Sequence, residues 1–271
     1  MKPTPKKGVP MAEKTSANLP VLASLTTLAF TSADAEGTMK KILAASPDGF
    51  THLNLDKITF PTSDSITLNV PTEEGLDPRR FVDVILVHHH AARQRYEGPY
   101  DVAANPAPPI CSSYDGIRGH GNPGGWCASC KYNEVGPTAQ CRPFRWLYLL
   151  FEESILPTFF PIPRTSLSKK LPNGIVKYVQ GLAKGGRNKV KGGLWPWNVT
   201  TRIGLADRQR GVGKVATFTE GERLSETLNE CVTKYAEDFQ HSLTFPTADV
   251  GVYDGLDKDE GSDEGDGPDN I

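Results

Sequence analysis

The sequence predicts a mainly β (α+β) protein, an OB-fold-like small Greek-key barrel with a four-cysteine insertion and a C-terminal helix. Short segments of alternating or continuous apolar residues recur along the chain, as β-strands do. Gly and Pro contribute 26 and 22 of the 271 residues, a content typical of chains with many turns. A Gly- and Pro-rich excursion, residues 98–143, separates two of the strongest strand candidates, as when a small barrel carries an insertion in one connecting loop.

The predicted domain, residues 19–245, begins with Leu22–Phe30, for which a short strand or a helix is expected, and continues with strands. Gly49–Phe60 has partly alternating apolar positions, and Ser65–Val70 alternates until Pro71 closes it. The longest candidate runs from Phe81 to Tyr96. Its first half is almost continuously apolar, which indicates a strand that is covered on both faces.

Further strands and two helices are predicted after the insertion. The strand candidates are Phe144–Phe151, Val199–Leu205 and Lys214–Thr219. A short helix is expected over Ser166–Leu182, with Pro172-Asn173-Gly174 interrupting its first half. An amphipathic helix is expected to start at Thr219 or Glu220 and to end near Phe239. Cys231 lies on its apolar face, and we expect it to be a buried thiol.

Four of the five cysteines lie within 31 residues, and they are Cys111, Cys127, Cys130 and Cys141. The middle pair forms a C-x-x-C knuckle in a glycine-rich turn, where backbone amides can point at thiolate sulfurs. Four thiolates suit Zn²⁺, which binds them tetrahedrally at about 2.3 Å. Such a closed site has no open position for a substrate, so the zinc would stabilise the insertion. Two disulfides or an iron–sulfur cluster are the alternatives.

Between Arg164 and Lys214 there are twelve basic residues and one acidic residue, Asp207. Aromatic residues are interleaved with them, and this combination suits a groove for single-stranded nucleic acid: cations along the phosphates and aromatic faces for unpaired bases. The candidate phosphate contacts are Lys169, Lys170, Lys177, Lys184, Arg187, Lys189, Lys191 and Arg202. The candidate stacking residues are Tyr96, Tyr148, Tyr178, Trp195 and Trp197. A solvated basic face with core tryptophans is the alternative.

The near-neutral net charge of −2 hides an acidic tail on a basic body. From Asp249 to Ile271 there are nine acidic residues and one lysine, whereas the rest of the chain carries a net charge of +6. We expect the tail, residues 246–271, to be disordered because it has too few apolar residues to offset its ordering entropy. Residues 1–18, rich in Lys and Pro, are also expected to be disordered. The anionic tail would compete with nucleic acid for the groove, and it would bind partner proteins once displaced.

The cysteines Cys111, Cys127, Cys130 and Cys141, the strand Phe144–Phe151 behind them and the acidic tail together resemble the phage-type single-stranded DNA-binding proteins. In that family an OB-fold carries a zinc-bound insertion, and an acidic C-terminal tail recruits replication proteins. The resemblance covers the architecture from about Phe50 to Ile271. It implies binding of Zn²⁺ and single-stranded DNA, and replication or recombination proteins as partners of the tail. The best-known members use one histidine with three cysteines, which leaves His120 as a possible substitute ligand.

No enzymatic motif is complete. His88, His89 and His90 alternate on a strand, so at most two of them converge, and no paired carboxylates accompany them. A zinc-stapled nuclease of the His–Asn–His type would need an Asp-His pair with Asn and His on a helix after Cys141, and that segment lacks them. There is no Walker loop, G-x-S-x-G motif or polymerase-like carboxylate pair. We therefore expect a non-enzymatic protein; a zinc-stapled RNA-binding or regulatory adaptor is the alternative.

Nothing in the sequence predicts a membrane span, because no stretch approaches 18 apolar residues. Leu19–Phe30 loosely resembles the apolar part of a signal peptide. Its polar residues, and the nearby Glu13 and Lys14, argue against that interpretation. We expect a cytoplasmic location, in the cytoplasm of the host cell if the protein is viral. Secretion would instead favour disulfides over zinc.

Overall fold

The computed structural model describes residues 41, 51–61, 65–97, 109–133, 140–152, 154–208 and 213–243. The predictions for residues 1–18, for the apolar segment Leu19–Phe30 and for the tail, residues 246–271, concern parts of the chain outside these ranges.

Within these ranges the chain forms ten strands and two complete α-helices, so the prediction of a mainly β protein is confirmed. The strands are β1 (Leu68–Thr72), β2 (Gly75–Arg79), β3 (Phe81–Arg95), β4 (Cys111–Ser113), β5 (Arg118–Gly121), β6 (Gly125–Trp126), β7 (Cys141–Leu150), β8 (Thr158–Pro163), β9 (Val199–Asp207) and β10 (Lys214–Arg223). The helices are α1 (Ile175–Ala183) and α2 (Glu226–Ser242).

Eight strands form one antiparallel sheet around the long strand β3. The order β10-β9-β3-β4-β5-β6 runs through it, while β7 pairs with β3 and β8 pairs with β7. At the C-terminal end of β3, Arg93–Arg95 pair with both β4 and β7. Strands β1 and β2 form a separate hairpin. No pairing among the described strands closes the sheet into a barrel.

The first half of β3 is buried on both faces, as its continuous apolar run predicts. Val82, Val84 and Leu86 belong to one apolar cluster, and Ile85 and Val87 belong to another. We call the side of the sheet with the first cluster the first face, and the other side the second face. Because successive strand residues point to opposite faces, a strand between two covered faces must be apolar at nearly every position.

Each face is covered by one helix. On the first face, α1 contributes Ile175, Tyr178 and Leu182 to the cluster. On the second face, α2 contributes the larger set Leu228, Val232, Tyr235, Ala236 and Phe239. These residues recur at the three- and four-residue spacing that places side chains on one side of a helix.

The helix α2 begins later than predicted, and its cysteine is less buried than expected. Strand β10 continues to Arg223, so a start at Thr219 or Glu220 was wrong. The helix instead begins after Ser225, whose side chain accepts a hydrogen bond from the Leu228 N–H. Cys231 is half-buried at the border of the packed side of the helix.

Three other local predictions need correction. The part of Gly49–Phe60 that is described forms a 3₁₀ turn, His52–Asn54, and two isolated bridges instead of a strand. Strand β1 continues through Pro71 to Thr72. Proline is tolerated in an edge strand, whose outer side has no partner that needs its N–H. The predicted helix Ser166–Leu182 divides into a 3₁₀ turn, Arg164–Leu167, and α1, which starts after Gly174.

No helix in the described ranges is long and apolar enough to cross a membrane.

Candidate metal centre and nucleic-acid interface

The four clustered cysteines converge on one cavity, although they come from three places in the chain. Cys111 on β4 and Cys141 on β7 flank β3, whereas Cys127 and Cys130 lie in the turn that follows β6. In that turn the Cys127 N–H donates to the Ile117 carbonyl at 2.8 Å, and the Cys130 N–H donates to the Cys127 carbonyl at 3.3 Å. All four residues line a cavity of about 20 Å³. A cavity of this volume has room for one small ion.

Glycines allow the β5–β6 hairpin to lie against the sulfurs. A Cβ atom on Gly119 would lie 2.9 Å from the Cys111 sulfur. One on Gly121, whose φ is +108°, would lie 2.3 Å from the Ile110 carbonyl oxygen. Real Cβ contacts are longer than either distance, so any larger residue would push the hairpin away from the cavity.

Two arginines stand beside the thiols. Burial raises the pKa of the Cys111 thiol, and this effect outweighs a hydrogen bond from the Gly124 backbone and the charge of Arg95, which both lower it. Burial also raises the pKa of Cys141, against the charge of Arg93 and a hydrogen bond from its side chain. Without a metal, these two thiols therefore favour the protonated state. Four thiolates around Zn²⁺ would carry a net charge of −2, which two guanidinium groups offset.

The donor set of the cavity suits zinc, because four cysteine sulfurs are available to it. All five cysteines are unpaired thiols. Within the described ranges, no three His, Cys, Asp or Glu side chains form a preformed metal-binding group. The fit rests on the shared cavity, the four sulfur donors and the two adjacent cations. Cys111, Cys127, Cys130 and Cys141 are the residues that would hold the ion.

His120 is poorly placed to replace a cysteine. It pairs with Ser112, next to the pair of Cys111 with Gly121, so its side chain leaves β5 on the side opposite the cysteine cavity. There its ring lies 6.5 Å from the ring of Tyr114, between centroids. The set of four cysteines is therefore the one that the geometry favours.

Trp195 and Trp197 form a stacked pair on the surface. Their ring planes are 2° apart and their centroids are 5.1 Å apart, while Trp195 is 64% exposed. Trp197 packs against the cluster on the second face. Asn198 holds the turn between them: its Oδ1 accepts from the Trp195 N–H at 2.7 Å, and its Nδ2 donates to Asn229 of α2 at 2.7 Å.

The basic loop, residues 184–191, leads from α1 to this pair. Leu194 belongs to the cluster on the first face, so the chain changes faces just before Trp195. The exposed lysines of the loop are Lys184, Lys189 and Lys191. Arg187, in contrast, anchors the loop to β10: its N–H donates to the Glu220 carboxylate at 2.8 Å, and its guanidinium donates to the carbonyls of Glu220 and Gly221.

The other predicted cations lie in different surroundings. Lys169, Lys170 and Lys177 are exposed near and on α1, which covers the first face. Arg202 donates to both oxygens of Asp83, at 2.8 and 2.7 Å, and its guanidinium lies 4.5 Å from the centre of the Phe81 ring. Asp83 therefore neutralises Arg202, which corrects its assignment as a simple phosphate contact.

Two of the predicted stacking residues belong to the core, so their assignment was wrong. Tyr148 is 1% exposed and lies between His90, Phe159 and Phe239. Tyr178 is 8% exposed, and its hydroxyl is hydrogen-bonded to Thr201 at 2.6 Å. Tyr148 lies on β7 and Tyr178 lies on α1. Each belongs to the apolar positions that recur along its strand or helix, and such periodicity predicts burial.

Tyr96 is half-buried at the end of β3, and its hydroxyl donates to Gln94 at 2.9 Å.

The three consecutive histidines alternate between the two faces of the sheet, as predicted for residues on a strand. His88 and His90 lie on the second face with ring centroids 5.3 Å apart, and both contact Tyr148. His89 lies on the first face beside Arg145. Burial lowers the pKa of His88 and His89 to about 4 and that of His90 to about 3.

Sequence reasoning missed several residues at these sites. Arg93 and Arg95 alternate on β3, so they share the face on which Cys111 and Cys141 lie. Trp126 adjoins the knuckle and is 65% exposed. The period of two in Arg93-x-Arg95 could have indicated the arginines. The position of Trp126 between Gly125 and Cys127 could have indicated an exposed turn residue.

Comparison with protein-family models, curated proteins and solved structures finds no match to this chain.

Proposed function

We propose that the protein binds single-stranded DNA without sequence preference and protects and organises it during replication, recombination or repair. In this proposal it has no enzymatic activity, and its open sheet serves as an OB-fold-like platform. One observation carries the proposal above the others. An exposed tryptophan, stacked on a second one, directly follows a loop with three exposed lysines.

The tryptophan pair suits an unpaired base. Trp195 offers its outer ring face, while its inner face is supported by Trp197 and its backbone is held by Asn198. A rigid, exposed ring loses little entropy when a base stacks on it. Stacking of this kind contributes about 1–3 kcal/mol per base and depends little on which base is present. Duplex DNA hides its base faces, so this contact favours single strands.

The basic loop supplies the matching contact with the phosphates. Lys184, Lys189 and Lys191 have exposed side chains, and Arg187 anchors the loop to β10. Cations along a strand release counterions on binding, so affinity falls as salt rises. Lys169, Lys170 and Lys177 would extend the contact across α1.

Zinc belongs to this proposal as a structural ion. When bound by four cysteines it supplies local folding energy to a segment with little apolar core, on the order of 10–16 kcal/mol in zinc-finger peptides. Here it would hold β4, the β5–β6 hairpin and the start of β7 together. The proposal places the protein in the cytoplasm, where thiols stay reduced.

The acidic tail would regulate the access of DNA to the basic loop and recruit partner proteins. Its nine acidic residues can compete with DNA for the basic loop when salt is low. Once DNA occupies the loop, the tail is free to bind replication or recombination proteins.

The experiment is fluorescence anisotropy of the full chain with labelled oligo-dT, a matched duplex and a matched RNA over a salt series. We expect tight binding to the single DNA strand alone, with a log–log salt slope of about −0.7 per phosphate neutralised. Equal binding to the duplex, or no binding, would contradict the proposal. A clear preference for RNA would favour the RNA-binding adaptor instead.

A further inference from the structure

The β5–β6 hairpin exposes a second tryptophan beside a cation. Trp126 is 65% exposed, as much as Trp195, and Ile117 at the start of the hairpin is 57% exposed. Arg118 is the direct cross-strand partner of Trp126 and is exposed too. Side chains directly opposite each other in an antiparallel pair lie about 4.5–5.5 Å apart at Cβ. An aromatic face and a cation therefore lie together at the edge of the sheet.

The alternation of the hairpin explains why these side chains face outward. Gly119 and Gly125 are paired, and their side of the hairpin faces the cysteine cavity. Arg118 precedes Gly119 and Trp126 follows Gly125, so the side chains of Arg118 and Trp126 point to the other side of the hairpin. The cysteine cavity therefore determines which side of the hairpin presents the tryptophan.

The register places this outward side on the second face of the sheet. Arg118 shares a side of β5 with His120, which pairs with Ser112, which in turn pairs with Gln94. Gln94 lies on the same face of β3 as Ala92, a member of the second-face cluster. Trp197 packs against that same cluster. Trp126 therefore leaves the sheet on the same face as Trp197, the ring on which Trp195 stacks.

The charge around Trp126 favours an anionic ligand. In the ranges 109–133 and 140–142 the charged residues are Arg118, Lys131, Arg142 and Asp115. The Asp115 carboxylate is used within the turn, where it accepts from Ser113 and from the Ile117 and Arg118 N–H groups at 2.7–3.0 Å. Burial opposes ionisation of Asp115, but these hydrogen bonds dominate and lower its pKa.

We propose that Trp126 and Arg118 form a second contact for single-stranded DNA, in which Trp126 stacks on a base and Arg118 binds the adjacent phosphate. This inference rests on the proposed function, because one strand would contact both Trp195 and Trp126. The four-cysteine segment then takes part in binding directly, in addition to its structural role.

The test uses the full chain with oligo-dT of about 6 and about 25 nucleotides; the first length is near the lower end of common site sizes, about 4–16 nucleotides, and the second is above them. Trp126→Ala should weaken binding of the longer strand by about 5- to 150-fold, the equivalent of one lost stack. Trp126→Phe should retain most of the affinity. Arg118→Gln should reduce the salt slope by about 0.7. Photo-cross-linking with 5-bromodeoxyuridine in the longer strand should label the peptide that contains Trp126.

Leu76→Ala is the matched control, because Leu76 is 64% exposed and lies on β2, outside the hairpin. It should leave binding unchanged. If Trp126→Ala binds the longer strand like the wild type while Trp195→Ala is weaker, the second contact is wrong and the proposed function stands. If the wild type binds neither oligonucleotide, the proposed function itself fails. Cross-links restricted to Trp195 would also overturn the inference.

Discussion

Arg95 on β3 is the direct cross-strand partner of both Cys111 on β4 and Cys141 on β7. Directly paired residues point to the same side of a sheet, so the aliphatic part of the Arg95 side chain lies between the two thiols. The Arg95 head then donates to the Asn122 carbonyl and to Gln140 at 3.0 Å, and it lies 3.6 Å from the centre of the Tyr132 ring. This arrangement ties both sides of the insertion to one strand of the main sheet.

The first prediction concerns the metal content. Purified full-length protein should contain one zinc per chain, and the unfolded, metal-free protein should titrate as five free thiols, the number of cysteines in the sequence. Cys130→Ser should abolish stoichiometric zinc because a closed site needs all four sulfurs. Cys231→Ser, on α2 and outside the cavity, is the control and should leave the zinc content unchanged. A single free thiol would instead mean two disulfides.

The second prediction concerns the tryptophan stack. Trp195→Ala should weaken binding of oligo-dT by about 1–3 kcal/mol, because the exposed ring is the stacking surface. Trp195→Phe keeps a flat ring and should recover part of that loss. Since Trp195 is 64% exposed, neither change should shift the midpoint of urea unfolding greatly. Unchanged affinity of Trp195→Ala would exclude it as a stacking surface.

The third prediction separates the lysines of the basic loop from its arginine. Lys184→Gln, Lys189→Gln and Lys191→Gln should each reduce the magnitude of the log–log salt slope by up to about 0.7. Arg79→Gln removes one positive charge outside the basic loop, on the β1–β2 hairpin, and should not change the slope. Arg187→Gln should lower stability, since it breaks the anchor to β10. A uniform response of all variants would indicate a general charge effect.

The fourth prediction concerns the pH dependence of stability. The partly buried His88, His89 and His90 have pKa values of about 4, 4 and 3 in the folded protein, against 6.5 for an ordinary histidine. The unfolded chain therefore takes up protons as the pH falls below about 6.5, whereas the native protein does not until about pH 4. Stability contributed by the neutral rings is complete above pH 6.5 and is lost between pH 6.5 and 4, by about 1.4 kcal/mol per pH unit for each extra proton.

Urea titrations at pH 7 and pH 5 measure this loss. His90→Phe keeps an aromatic ring among its aromatic neighbours and removes the titrating group, so the difference between the two pH values should shrink. His241→Gln, at the exposed end of α2, is the control. An equal acid dependence in the His90 variant would contradict the assignment.

The fifth prediction concerns the acidic tail. Truncation from Asp254 onward should tighten binding of oligo-dT at low salt, because it removes an anionic competitor. The gain should disappear at high salt, where screening weakens the competition. If the affinity of the truncated protein equals that of the full chain at every salt concentration, the tail does not occupy the binding surface.

The strongest strand predictions succeeded where the local pattern was unambiguous. The run Val84–Val87 is apolar at four successive positions, a pattern typical of a strand with two covered faces. The predicted helix after β10 has the correct apolar stripe but a wrong start. At Glu220–Arg223 both strand pairing and helix formation are locally possible, and pairing with β9 decides between them.

The stacking candidates show where local reasoning ends. Tyr178 and Trp195 lie in the same basic stretch. The helical spacing of Ile175, Tyr178 and Leu182 indicates burial of Tyr178, but no periodic pattern around Trp195 indicates whether its ring is buried or exposed. Tyr178 is buried because α1 turns it toward the sheet, while Trp195 is exposed because the chain passes from one face to the other beside it. Burial depends on where the neighbouring elements pack, and this is a property of the whole fold.

By itself, the sequence determined the mainly β class, the long doubly covered strand, the cluster of four cysteines and the charge of the basic stretch, because each depends on composition or on a local period. Only the tertiary structure decided that Arg93 and Arg95 stand beside the cysteines, that Arg202 is neutralised by Asp83 and that Trp126 faces outward. Each of these depends on the register between strands distant in sequence. A shift of one residue would turn every one of those side chains to the opposite face.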